Sequence, residues 1–179
     1  MYRNEKACGH AIAKSGLDRS QIFFTTKIPP ESMGILIHAP YGGKEDRLGS
    51  WKALVEAQKA GKTKSIGVSN YGIHHLDELE EYIQQGGGGR IDVGQYEIHP
   101  WCAREDIVEW LQKRNIVVEA YSPLAHGTRM GEAVLRELGK NRIRENAEVF
   151  DFKLDEEDVK RLFTGEYEPT DWDPTLDFD

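Results

Sequence analysis

Apolar and polar positions along this chain alternate between two periods. Short β-rich runs lie at residues 22–27, 35–40, 64–70, 91–98 and 116–124. Between most of them the period changes to that of an amphipathic helix. In residues 48–60, Leu48, Trp51, Leu54 and Val55 share one helical face, with Lys52, Glu56 and Lys59 off it. Residues 73–85 place Leu76, Leu79 and Ile83 in the same way, and residues 103–114 place Ile107, Val108 and Leu111. Strand and helix in alternation predict parallel strands joined by crossover helices, an α/β architecture.

The runs ILIHAP, IGVSN and VVEAYSPL begin apolar and end polar. Parallel strands are covered on both faces, so their bodies are apolar, whereas their C-terminal ends open onto site-building loops. His38, Ser69, Asn70, Gln95, Tyr121 and Ser122 stand at or near such ends. A single polar residue there reads most simply as a loop cap. Several strands agreeing points to one shared site.

Two junctions break the pattern. Only seven residues, IPPESMG, separate Lys27 from Ile35, where a parallel crossover takes a dozen or more. Either these two strands are not parallel neighbours, or a crossover is missing between them. After Leu124 the helix-like residues 132–140 run straight into the helix-like 142–150, with no strand between. Five strand candidates fall short of the eight of a closed barrel.

Composition narrows the classes. The chain has 179 residues, about one domain's length, with 39% hydrophobic and 30% charged residues, as in a globular protein. A net charge of −8 argues against nucleic acid or an anionic membrane as partner. No apolar run suits a bilayer span or a secretory signal, and two cysteines, Cys8 and Cys102, fit a reducing cytoplasm.

Several motifs can be set aside. AGKT at residues 60–63 resembles the end of a phosphate loop, but Glu56 stands where that motif needs glycine. Four consecutive glycines at 86–89 read as a connector with a helix C-cap, and no G-x-G-x-x-G is present. The histidines suggest no metal site: His74 and His75 are adjacent, and neighbours i and i+1 do not face each other on a helix. Ser69 and Ser122 lack the G-x-S-x-G elbow of a nucleophile. The tail, residues 165–179, carries six acidic residues and no basic one. A solvated terminus is its simplest reading, although Tyr167, Trp172 and Phe178 permit packing over a pocket mouth.

Taken together, YRNEKACGHAI, FFTTK, ILIHAP, AGKTKSIGVSNY, QYEIHPW, AYSPLAHG and RIRENAEVFDFKL resemble, in order, segments of the aldo-keto reductase family. The resemblance implies an incomplete (β/α)8 TIM barrel with about five of its eight parallel strands, forming one domain over residues 1–179. It implies NADPH-dependent reduction of an aldehyde or ketone. Tyr2 would be the proton donor, Lys27 the neighbour that lowers its pKa, and His38 the group orienting the substrate. Ser69, Asn70 and Gln95 would hold the nicotinamide carboxamide, and Tyr121 would stack on its ring. Ser122 and Leu124 would follow the pyrophosphate, and Arg142 would meet the adenosine 2′-phosphate, with Glu145 and Asn146 near adenine. Trp101 would wall the substrate pocket. The two short junctions fall where the family has a crossover helix and its last strand, and the family's first two strands have no counterpart before Tyr2. The alternative expectation is therefore a catalytically impaired fragment that acts as a cofactor-binding or interaction module.

Overall fold

A computed structural model describes residues 5–22, 25–28, 36–129, 131–132, 156–170 and 172–177. Among the described residues five parallel strands form one sheet in sequential order: β1 (Lys27–Ile28), β2 (Leu36–Ile37), β3 (Gly67–Ser69), β4 (Val93–Glu97) and β5 (Val117–Tyr121). Helices α2 (Gly43–Lys59), α3 (Ile73–Tyr82) and α4 (Glu105–Gln112) connect β2 to β5. The result is an incomplete α/β barrel.

The two-residue strand period sorts the side chains. Ile37, Val68, Tyr96 and Val118 face the helices and join Trp51, Leu54, Val55, Leu76, Leu79, Ile107, Trp110 and Leu111 in the hydrophobic core. The alternate positions, Lys27, His38, Ser69, Gln95, Glu119 and Tyr121, belong to the other, inner face. Strand register aligns Ser69 with Gln95 and Gln95 with Glu119. Gly67 is required in this row, because a Cβ there would lie 2.0 Å from the Val93 carbonyl oxygen and 2.8 Å from Leu36.

The sheet curls enough for its two edges to touch through side chains. The Thr25 hydroxyl donates to Glu119 at 3.3 Å, and the Lys27 ammonium lies 4.8 Å from the centre of the Tyr121 ring. β1 and β5 are thereby joined across the interior without a shared hydrogen-bond ladder.

Several expectations change. β1 and β2 are adjacent and parallel, which decides between the two readings that the short junction left open. Helix α2 begins five residues before the apolar stripe does, with Glu45 and Asp46 in its first turn, where acidic side chains favour a helix start. Helix α1 (Glu5–Lys14) has no apolar stripe to announce it and rests on alanine-rich propensity. Helix α3 ends in a wide turn, Ile83–Gly87, broken by Gly86 at φ 99°. The glycine connector is close-packed at its end: Gly89 has φ 76°, and a Cβ there would lie 2.6 Å from Val55. His74 and His75 do face each other, with their Nε2 atoms 3.1 Å apart. They occupy the first turn of α3, where His75 turns back to accept from the Gly72 amide and His74 reaches the Asp177 carbonyl.

Candidate active site

Six of the expected site residues converge at the C-terminal ends of the strands. Asn70 is their hinge. It follows β3 in the left-handed region at φ 61° and is buried. Its Nδ2 donates to the His38 carbonyl at 3.0 Å, and its Oδ1 accepts from the Tyr121 hydroxyl at 2.8 Å. One amide thereby ties the end of β2 to the end of β5. Ser69, fully buried, donates to the Gln95 carbonyl at 2.7 Å, and Gln95 Nε2 donates to Glu119 Oε2 at 2.6 Å.

The electrostatics follow from partial burial. Burial lowers the pKa of Lys27, and the Glu119 charge opposes that shift. Burial and then the positive charge of Lys27 hold His38 below the usual histidine range, so its imidazole is neutral at pH 7. Burial, reinforced by the Glu97 charge, pushes the Tyr121 phenol up to about 12.

The remaining expected residues lie elsewhere. Ser122 has φ 47° and its hydroxyl is 3.0 Å from His126 Nε2. Leu124 is 61% exposed. Trp101 is buried, donates to Glu132 at 3.2 Å and lies under the Arg129 guanidinium. Tyr2, Arg142, Glu145 and Asn146 lie outside the described residues. Among the described residues no three His, Cys, Asp or Glu side chains group as a metal site, and no helix is long and apolar enough to cross a membrane.

The tail takes the less simple of its two expected readings and covers the site. The acidic tail is docked as a strap and does not stand free in solvent. Trp172 meets the His38 ring edge-on at 6.1 Å and stacks on Tyr41 at 5.8 Å. Arg104, buried and left-handed at φ 46°, anchors the strap. Its guanidinium donates to Tyr167 at 2.7 Å, Thr175 at 2.9 Å, Asp173 at 3.0 Å and the Glu97 carbonyl at 3.1 Å. Buried Glu97 accepts from the Thr170 amide at 2.9 Å, from the Thr170 hydroxyl, and from His99 at 3.0 Å. The only signal for this in the sequence is the aromatic content of an otherwise acidic tail.

The strap should respond to acid. Burial raises the pKa values of Glu97 and Asp173, but hydrogen bonds from Thr170 and His99 to Glu97, and from Thr175, Tyr167 and Arg104 to Asp173, more than offset it. Both carboxylates are therefore depressed in the folded state. Their contribution is complete above the unfolded carboxylate range, about pH 4, and is lost as pH falls through the folded values. Titrating downward from pH 5 is expected to alter Trp172 fluorescence before far-ultraviolet circular dichroism changes. The Trp172→Phe variant identifies that signal, and simultaneous transitions would contradict a separable strap.

The family model described as "Aldo/keto reductase family" matches residues 34–140. An uncharacterized oxidoreductase of Schizosaccharomyces pombe is 32% identical, aligned over 98% of this chain and 82% of its own length. That alignment spans 230 residues, more than the chain's 179, so the relative carries stretches within it that this chain lacks. An aldo-keto reductase from a Medee basin deep-sea metagenome library superposes with a TM-score of 0.84 at 26% identity, over 99% of this chain and 83% of that one. A variant of Gox0644 in complex with NADPH superposes with a TM-score of 0.78 at 25% identity, over 99% and 82%. With the strand-end cluster, the half-barrel and an aligned relative spanning nearly all of it, the chain is a member of the aldo/keto reductase family of oxidoreductases.

Proposed function

We propose that this chain reduces an aldehyde or ketone to an alcohol with NADPH. The observation that carries the reading is Asn70, which joins His38 to Tyr121 on the inner face that also holds Lys27. The side chains available there fit a primary carboxamide. Asn70 keeps a second N–H, Ser69 keeps its hydroxyl lone pairs, and the Gln95 amide carries its own acceptor oxygen. The NADPH complex of the similar Gox0644 variant supports the choice of cofactor.

In this reading Ser69, Asn70 and Gln95 hold the carboxamide and Tyr121 flanks the ring. Ser122 and Leu124 run along the pyrophosphate, Arg142 meets the 2′-phosphate, and Glu145 and Asn146 contact adenine. Trp101 belongs to the substrate wall. When bound, the cofactor supplies a hydride to the carbonyl carbon. Tyr2 gives its phenolic proton to the carbonyl oxygen, where negative charge develops. A free phenol has a pKa near ~10, and the Lys27 ammonium favours the phenolate, which strengthens Tyr2 as an acid. A neutral His38 donates an N–H to the same oxygen and fixes its direction. Two unpaired cysteines, one of them the buried Cys102, fit a reducing cytoplasm.

A thermal melt with NADPH tests cofactor binding. A ligand that binds only the folded chain stabilises it by about 2.7 kcal/mol at a hundredfold excess over Kd. The expected result is one cooperative transition that NADPH moves upward by several degrees, and more than NADH does. A cooperative melt that neither nucleotide moves would favour the alternative, a cofactor-blind interaction module.

A further inference from the structure

The half-buried Lys27 ammonium shares the inner face of the sheet with a carboxylate, Glu119, and feels its charge. Glu119 and Tyr121 point the same way on β5 by the two-residue period. The Thr25 hydroxyl meets Glu119 Oε1 at 3.3 Å, and the Lys27 ammonium lies 4.8 Å from the Tyr121 ring centre. These contacts are two rungs between the sheet's opposite edges. The other carboxylate oxygen, Glu119 Oε2, accepts from Gln95 at 2.6 Å, its register partner on β4. Both oxygens are therefore held by neutral donors, which fix the carboxylate without neutralising it.

We propose that Glu119 is a positioning residue of the site: it supplies the counter-charge for Lys27 and couples β1 to β5 across the open barrel. Two opposing effects act on the lysine. Burial disfavours its charged form, and the Glu119 charge restores it. Without Glu119 the ammonium loses its proton at lower pH, and the inner face loses the cation that acts on Tyr2. The catalytic consequence rests on the reductase reading. The charge balance on Lys27 does not.

The test is the pH titration of the Lys27 side chain by carbon NMR in the native chain and in Glu119→Gln, the signal being assigned with Lys27→Arg. The glutamine keeps an acceptor oxygen for Gln95 and offers an N–H to the Thr25 hydroxyl, which can accept as well as donate, so the main change is the loss of the charge. Its Lys27 midpoint is expected to fall by about one pH unit, and Glu119→Asp should recover part of that fall. If Glu119→Gln does not fold, Glu119→Ala removes the same charge and is read in the same way. An unmoved midpoint overturns the proposal.

In turnover, the alkaline limb of kcat/KM should move down by the same interval as the Lys27 midpoint. A shifted titration with an unshifted limb confines Glu119 to a structural role and overturns the positioning one. A native chain without any carbonyl reduction overturns the reductase reading, and the titration then decides the charge balance alone.

Discussion

Replacing Tyr2 by phenylalanine is expected to lower kcat/KM for carbonyl reduction by about 10²–10⁴-fold, the range that a positioned general acid supplies. The substitution removes one hydroxyl and keeps the ring. The developing alkoxide then has the His38 N–H as a hydrogen-bond donor but no acid with a matched pKa. Lys27 and His38 remain, so the inner-face charge that burial and Glu119 balance is unchanged. The residues assigned to the carboxamide are likewise untouched, and NADPH affinity should stay nearly intact. Single-turnover reduction separates the chemical step from binding. A Tyr2→Phe chain as fast as the native one would remove Tyr2 from the mechanism.

The second large effect is structural and lies in the strap. Arg104→Met deletes a buried guanidinium that makes four hydrogen bonds, three of them to strap residues. The side-chain exposures of Arg104 and Asp173 are 1% and 11%, so little water can replace the lost cation. Removing one partner of such a pair costs about 3–5 kcal/mol, chiefly because the other charge is left without compensation. The lower end applies here, since Asp173 also accepts from Thr175 at 2.6 Å. For a chain of this length about 3 kcal/mol corresponds to a fall of roughly 6–12 °C in Tm. Arg104→Lys should recover little, because an ammonium cannot span the same four acceptors. The consequence reaches the site, because Trp172 lies next to Asp173 and covers His38. Calorimetry together with Trp172 fluorescence checks both parts. A variant with native Tm would show that the strap is held by something other than Arg104.

What the sequence made legible follows the range of the interactions involved. The course of the runs from apolar to polar put Ser69 and Gln95 toward the strand ends, and the register pairs them there. That course also brought His38, Asn70 and Tyr121 to one end of the sheet, where Asn70 joins the other two. Contacts between distant segments were not legible. Glu97 and Thr170, or Arg104 and Thr175, are about seventy positions apart, and no local pattern announces their pairing. A strongly acidic tail reads as solvated until its buried arginine is known. Glu119 was overlooked although it stands two residues before Tyr121 on the same face, because its role depends on the curl of the sheet and not on β5 itself. The short junction left two readings open, and β1 and β2, of two residues each, are the parallel neighbours that one of them allowed. The ring contact of His74 and His75 arises because hydrogen bonds to groups outside the helix set both rings.

The reading proposed for this chain is that an incomplete barrel carries a working reductase site. Steady-state consumption of NADPH by the purified native chain, with and without an added aldehyde, tests it most directly. The account predicts consumption that depends on the aldehyde, saturates with it, yields the alcohol in equal amount and disappears in Tyr2→Phe. A folded chain that binds NADPH yet shows no carbonyl-dependent consumption with any of a panel of aldehydes and ketones would contradict it.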